Sequence, residues 1–506
     1  MLCILEVTRT YNMADTSKQL ERLVSELSIL DDAGDCVGLT GSVSVARYLN
    51  RILTLKYSKI HEFNSALNKL KRLLREFEGD LDCDKQLCSD FINYICEQYL
   101  RHESFEHEVY EFDSSDFEGL PECAAFVLDV CSLIIERLRE HRKDNVTKSV
   151  MKHCRHTVVS VCAANSQPLP WTNDISIDLA GKTLEYLCAI YECSNTTQLL
   201  LGASESQQTV VRQVLGLLQP KMMRNSWKNN PISQHILQWS LMQIKFPHLS
   251  DYLNVVIPPA LLFTDDYVPR NKVLGIQCLR HIICNTTKTS LRLHSRAEVI
   301  YEALYHQLYT HDVEVIEALH PTLLQILEIV EVSPKQVDAE RALGKYDCVL
   351  QHILRDMLVE VKIVIRRALS SHLPAYLQAM GITIVRHLKQ LLNVIHSYLD
   401  AYDGPAETAR INILIILQVT ITEAWPRILY HCDDILKKLL TFIYDVSVDK
   451  TLTPQNVKTC LLEEAVTCLR LLKQACKGRV EELLQCFKND NVNEICWDCI
   501  RRVLQE

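Results

Sequence analysis

The feature that most constrains this chain is a helical apolar period that runs on past the size of any single core. Apolar residues return at three- and four-residue spacing along nearly all 506 residues. Leu20, Leu23, Val24, Leu27 and Leu30 form one such stripe, and Leu436, Leu439, Leu440 and Ile443 another. That spacing keeps one face of an α-helix apolar, whereas a half-buried strand alternates every second residue. Period-two runs closed by hairpin turns do not occur in the sequence, so it reads as all-α. A single hydrophobic core stops growing at roughly 250–300 residues. Helices over this length must therefore stack in series, and an α-α superhelix, a HEAT- or armadillo-like solenoid of helical hairpins, is the expected architecture.

The interruptions are short: 31–42, 111–122, 164–174, 332–345 and 402–407. Only 13 glycines and 15 prolines are present, below the usual shares of about 7 % and 5 %. Phosphate-cradling loops, tight hairpins and long linkers all consume those residues, so their scarcity favours helices joined by brief turns. A repeat supports the stacking. Asp266, Asp312, Asp356, Asp403 and Asp449 each precede an apolar helical stretch, at separations of 46, 44, 47 and 46 residues. Two-helix HEAT-type repeats run at roughly 40–47 residues. An aspartate at a helix start satisfies free amides and suits the positive end of the dipole. The region 216–506 is thus read as the repeat region, with "NKVLGIQCLRHIIC" (Asn271–Cys284) and "INILIILQVTI" (Ile411–Ile421) as inner helices. Residues 1–215 are read as irregular helical hairpins. Their acidic loop near 103–122 carries Glu103, Glu106, Glu108, Glu111, Asp113, Asp116 and Glu118, and reads as solvated, with a docking or phosphorylatable segment at Ser114–Ser115 as the sharper alternative.

The stretch "NSWKNNP" (Asn225–Pro231) marks the entry to the repeats. Pro231 suits the first turn of a helix, and Asn230 before it suits the N-cap. The helix would bury Ile232, Ile236, Leu237, Ser240, Leu241 and Ile244 until Pro247 interrupts it. Trp227 is then expected to pack back on that helix rather than to await a partner.

Chemical motifs are weak. "HCRH" offers His153, Cys154 and His156, but one helical face cannot present all three. "CWDC" (Cys496–Cys499) has redox spacing without the strand-to-helix context that activates such thiols. The pairs Asp265–Asp266 and Asp433–Asp434 read as helix-start residues, and Glu463–Glu464 as a solvated helix face. No phosphate-binding glycine loop, HExxH or GxSxG appears. No catalytic residue, cofactor site or metal site is assigned. Net charge is −9 with no dense basic tract, which disfavours nucleic acid as a partner. No apolar run reaches membrane-spanning length. The 21 cysteines scatter within apolar runs such as "YLCAIYEC", as reduced buried thiols do. A cytoplasmic protein follows, with the nucleus as a second compartment. What stacked helices offer instead is extended surface for protein partners. Aromatic and arginine anchors would carry the affinity, and Trp227, Trp239, Tyr267, Trp425 and Arg427 are candidates.

Several segments together resemble one family. They are "SWKNNP" (Ser226–Pro231), "DDYVPRNKVLGIQCLRHII" (Asp265–Ile283), "GITIVRHLKQL" (Gly381–Leu391), "YDGPAETARINIL" (Tyr402–Leu414), "WPRI" (Trp425–Ile428) and "LTPQNVK" (Leu452–Lys458). In order and spacing they are similar to the Tel-two-interacting protein two family, the smallest subunit of the Triple T co-chaperone complex. The resemblance covers roughly residues 215–485, with only "PWT" (Pro170–Thr172) before it. It marks Trp227, Lys228, Asn230, Pro231, Asp265, Asp266, Tyr267, Asn271, Lys272, Arg386, Tyr402, Asp403, Gly404, Pro405, Trp425, Pro426 and Arg427 as motif residues. The resemblance implies a non-enzymatic α-solenoid scaffold bound to Tel-two-interacting protein one and to the Tel-two subunit. It further implies indirect work with the heat-shock-protein-ninety chaperone and the RuvB-like ATPase co-chaperone assembly. The clients would be phosphatidylinositol-kinase-related kinases, including mTOR, ATM and ATR. A HEAT-repeat receptor of the nuclear-transport kind is the alternative.

Overall fold

A computed structural model of the chain describes residues 46, 49–53, 59–76, 85–101, 112–141, 144–202, 209–336, 342–449, 453–485 and 493–505. The stripe Leu20–Leu30, the break at 31–42 and the carboxylates Glu103, Glu106, Glu108 and Glu111 lie outside these residues. Among the described residues every regular element is helical, and the chain forms two compact units, Met1–Val214 and Leu215–Glu506.

The first unit holds α1 (Ile60–Glu76), α2 (Lys85–Arg101), α3 (Leu120–His141), α4 (Asp144–Ala164), α5 (Asp174–Ile190) and α6 (Thr196–Leu201). Phe63, Leu67, Leu70 and Leu74 fall on one face of α1 and are fully buried. Helices α1, α3 and α5 pack in one row and α2 and α4 in a second, the two-layer arrangement that amphipathic hairpins adopt when stacked. Asn173 opens α5 with a reciprocal capping box, its side chain accepting from the Ser176 amide at 2.8 Å. The described end of the acidic loop is no open loop. Ser114–Phe117 forms a 3-10 turn capped by Asp113, whose Oδ1 accepts from the Ser115 amide at 2.7 Å. Phe117 plugs the turn into the core edge-on against Trp171, with ring centres 5.2 Å apart. Phe117 thus anchors the turn Ser114–Phe117, which composition alone marks as solvated.

The next helices are α7 (Val210–Leu218), α8 (Pro231–Gln243), α9 (Leu253–Thr264), α10 (Pro269–Cys284), α11 (Lys288–Arg292), α12 (Arg296–His306), α13 (Val313–Val330) and α14 (Lys345–Val359). They continue through α15 (Ile363–Met380), α16 (Leu388–Asp400), α17 (Thr408–Glu423), α18 (Trp425–Ile428), α19 (Cys432–Val448), α20 (Gln455–Cys476), α21 (Arg479–Gln485) and α22 (Glu494–Leu504). Five hairpins stand out: α9–α10, α12–α13, α14–α15, α16–α17 and α19–α20. The second helices α10, α13, α15, α17 and α20 pack in sequence against one another as an inner row, and the first helices form a looser outer row. The inner helices begin at 269, 313, 363, 408 and 455, so the repeat measures 44 to 50 residues. Gly275 lets α9 and α10 approach closely. A Cβ there would stand 2.4 Å from the Thr264 amide.

Aspartate does not mark the helix starts in the expected way. Asp356 lies inside α14, where it pairs with His352 at 3.0 Å, and the next helix starts at Ile363. The short turn Glu360–Lys362 breaks the helix there instead. Asp312 occupies the N-cap position of α13 without a side-chain cap bond. Asp265 ends α9 rather than starting a helix. Glu464 is half-buried and accepts from Gln418 at 2.6 Å, so it is not a plain solvent-facing residue. Asn230 also corrects the reading. It stands before Pro231 at the start of α8, but its amide donates back to the Ser226 carbonyl at 2.7 Å, so the helix has no side-chain cap.

Candidate docking edge

The turns that join first and second helices of the hairpins contain most of the motif residues. Trp227 begins this edge. It is buried, tilted against Phe263 at 5.1 Å, and its carbonyl accepts from Gln234 at 2.8 Å. The fixed ring orients Lys228, whose ammonium reaches the buried Asp266 carboxylate at 3.1 Å and lies 4.7 Å over the Tyr267 ring. Asp266 also accepts from the Asn271 amide at 2.7 Å. One acid thus ties the turn before α10 to the turn before α8.

The same device recurs along the row with different residues. Lys272, in the first turn of α10, donates to Gln307 in the next turn at 2.7 Å. His311 lies 3.5 Å from Glu360, whose carboxylate also accepts from the amides of Val361 and Lys362 at 2.8 and 2.7 Å. Arg367, near the start of α15, donates from Nε to Asp403 at 2.7 Å and from a terminal nitrogen to the Asp403 carbonyl. The other Asp403 oxygen accepts from the Ala409 amide at 2.5 Å, so this aspartate does satisfy a helix start. Lys458 closes the series on Asp449, at 2.7 Å to its carbonyl and 3.2 Å to its carboxylate. Lys272 and Arg367, at the start of an inner helix, each hold an acceptor in the following turn, whereas Lys458 holds one in the turn just before its own helix. Such charge-assisted bonds hold each hairpin at a fixed angle to its neighbour.

Local backbone needs explain the "YDGP" residues. Tyr402 lies across Gly404 so closely that an added Cβ would meet its hydroxyl at 1.9 Å. Pro405 follows, and the buried Glu407 takes a left-handed backbone with φ near 53° while pairing with Arg410 at 3.3 Å. Burial pushes the Glu407 carboxyl up, against the pull of Arg410.

Above this clamped layer the turns present large apolar side chains to solvent. Tyr267 is 56 % exposed, Tyr309 66 %, Val361 81 % and Tyr402 48 %. Each belongs to a successive hairpin turn. Leu358, Val359, Ile363 and Val364 widen the patch around Val361. The run "LVEVKIVI" signals this in the sequence, since β-branched residues persist through a helix break where solvated turns are polar. Tyr309, Val361, Arg367 and Gln307 escaped the motif reading because their roles depend on the next repeat.

The remaining motif residues go elsewhere. Trp425, Pro426 and Arg427 form α18, in the turn between hairpins at the other end of the helices. Trp425 is 58 % exposed, while Ala424 and Ile428 take the buried positions of that short turn. Leu429 and Tyr430 are exposed beside it, with the Arg427 guanidinium 5.9 Å over the Tyr430 ring. Arg386 is exposed in the 3-10 segment Gly381–His387, the corresponding turn one hairpin earlier. Trp239 is half-buried within α8.

Thiols are pushed towards the unreactive form. Burial raises Cys154 to about 12 and Cys499 to about 11. In "HCRH" the Cys154 thiol points into the core and donates to the Val150 carbonyl, while His153 faces solvent. Among the described residues no three His, Cys, Asp or Glu side chains converge with metal-ligand spacing. No single described helix is long and apolar enough to cross a membrane.

Residues 157–406 match the Tti2 family. TELO2-interacting protein 2 of Homo sapiens is 37 % identical over 356 residues, which span 70 % of this chain and 70 % of that protein. The chain belongs to the Tti2 family. The Mus musculus protein of the same name is 36 % identical over 359 residues, 71 % of this chain and 70 % of its own. Among solved structures, the karyopherin Kap121p bound to the SUMO protease Ulp1p is 12 % identical, with a TM-score of 0.43 over 88 % of this chain and 42 % of that one. The Tti2 match takes in Trp227, Asp266, Tyr267 and Asp403, but ends before Trp425.

Proposed function

We propose that this Tti2-family chain is a non-enzymatic scaffold subunit of the Triple T co-chaperone complex. In this reading it binds Tel-two-interacting protein one and the Tel-two subunit. Through them it works with heat-shock-protein-ninety and the RuvB-like ATPases to mature phosphatidylinositol-kinase-related kinases such as mTOR, ATM and ATR, in the cytoplasm and the nucleus. The name of the relatives, TELO2-interacting protein 2, supports the partner. The observation that carries the reading is the row Tyr267, Tyr309, Val361 and Tyr402, exposed at four successive turns. The clamps below hold the turns that carry these side chains, which lowers the ordering cost of association.

Affinity purification of the chain from cells tests the complex. Recovery of a large helical-repeat protein together with kinase-maturation factors is the expected result, and recovery of neither overturns the proposal. Reconstitution tests the edge. Tyr309→Ala combined with Val361→Asp is expected to lose the large subunit while circular dichroism stays unchanged. Full retention of binding would move the interface off these turns.

A further inference from the structure

Helices α16 and α19 are neighbours in the outer row, yet their facing stripes are not apolar. On α16 the stripe is Lys389, Leu392, Asn393 and His396; on α19 it is Asp434, Lys437, Lys438 and Thr441. Both follow the i, i+3, i+4, i+7 spacing of one helical face. The apolar faces of the same helices, Leu391, Ile395 and Tyr398 on one and Ile435, Leu439 and Phe442 on the other, turn to the interior and are buried. Adjacent helices normally interdigitate side chains at such a boundary. Here the polar stripes leave an open groove of about 550 Å³.

We propose that this groove is a docking site for an acidic, amphipathic segment of a protein partner, separate from the turn edge. Charge complementarity selects that occupant. Lys389 and Lys437 are exposed from opposite walls, and His431 closes one end. Lys438 adds a third cation, shared with Asp400 on the rim. Against these three lysines stand Asp434 in the lining and Asp400 on the rim, so Lys389 and Lys437 are the cations that face the opening without Asp400. In a chain of net charge −9 this is a local reversal of sign. Burial, and then the Lys438 charge, lower the His396 imidazole from its ordinary range, so it enters the groove as a neutral hydrogen-bonding group. Leu392 supplies an apolar floor for an aliphatic side chain between the carboxylates.

The dimensions fit a short protein segment better than a nucleic acid. Lys389 to His396 spans two helical turns, about 10 Å at 1.5 Å per residue. A phosphate track needs a longer run of cations and aromatic faces for base stacking, and this lining has neither. Asp434 also repels a uniform polyanion, whereas it pairs with a lysine placed among the carboxylates of a peptide.

The test uses the full chain and a fluorescein-labelled helical peptide of Glu, Leu and Ala with one Lys, read by fluorescence anisotropy. Binding is expected to weaken as salt rises and to fall about tenfold in Lys389→Glu with Lys437→Glu, the scale of several exposed charge pairs reversed together. Lys245→Glu with Lys288→Glu makes the same change in net charge at exposed sites outside the groove and is expected to leave affinity unchanged. Absence of binding at low salt overturns the proposal, as does equal loss in both double variants. Displacement of the peptide by a single-stranded oligonucleotide of equal charge at lower concentration overturns it in favour of a nucleic-acid groove.

Discussion

Trp227 and Trp425 occupy similar sequence settings and opposite physical ones. Each sits in a short helical turn at the start of a longer element, with a proline close behind it and a cation beside it. Trp227 is 3 % exposed and Trp425 58 %. The difference lies in what each turn joins. Trp227 lies at the turn before α8, where the following hairpin α9–α10 supplies Phe263 to cover the ring and Asp266 to clamp the neighbouring Lys228. Trp425 lies between hairpins, on a single turn whose inward positions are already filled by Ala424 and Ile428. The clamped edge has Trp227 covered internally and shows a surface layer of tyrosine and aliphatic side chains. The unclamped turn places its largest residue directly in solvent.

Substitution at the clamped end has the largest expected effect. Trp227→Ala removes a buried ring between α8 and α9, and is expected to cost about 3–5 kcal/mol. Urea unfolding of the full chain measures it. A loss under about 1 kcal/mol would mean the ring contributes no more than a surface residue, and the contrast with Trp425 would fail.

Asp403→Ala is next. It strips an acceptor from the Arg367 guanidinium and from the Ala409 amide. Hydrogen bonds to charged groups contribute about 1.5–3 kcal/mol each. Arg367 is about a third exposed and recovers some hydration, so a loss of about 1–3 kcal/mol is expected. Asp403→Asn keeps the shape and one acceptor and should lose less. Equal losses in the two variants would show that shape, not charge, holds the turn. Gly404→Ala should cost less again, about 1 kcal/mol in melting experiments. Its methyl displaces the half-exposed Tyr402 ring, which can swing into solvent. If Tyr402 belongs to the interface, partner affinity falls as well, and unchanged affinity would remove it from the docking row.

These outcomes bear on what was readable from the chain alone. Helical class was legible because burial enforces a helical period in helices such as α13, where Ile316, Leu319, Leu323 and Ile326 are buried. The start of α8 at Pro231 was legible because proline is favoured at a first helical turn, although α9, α13 and α15 also carry prolines inside the helix. The clamps were not. All but the last, Lys458 with Asp449, pair residues about 35 to 50 positions apart with changing identities, Lys with Asp, Lys with Gln, His with Glu, Arg with Asp. Only the position in the repeat is kept, so no fixed motif exists to find. Asp356 misled for the converse reason: the spacing matched, but α14 runs through it to Val359 and pairs it locally with His352. Exposure of Trp425 was illegible because hydrophobicity states what a side chain would gain by burial, not whether a neighbour is there to bury it.

The smallest stability effect is expected at Trp425, and it sharpens the comparison most. Trp425→Ala removes no packed ring, so unfolding free energy should stay within about 0.5 kcal/mol, as for other exposed positions. Tyr430→Ala beside it should behave alike. An exposed Trp–Pro–Arg turn next to Leu429 and Tyr430 has the composition of an interface centre, where truncating one aromatic can cost about 2 kcal/mol or more in binding. Affinity for the proposed large subunit, measured with the purified variant, separates two arrangements. A loss near thirtyfold at unchanged stability, by the 1.4 kcal/mol-per-decade conversion, would place both edges in the assembly. Unchanged affinity would confine docking to the clamped edge and leave this patch for a different partner. A large loss of stability would contradict the geometry itself, because no buried contact of the indole would then account for it.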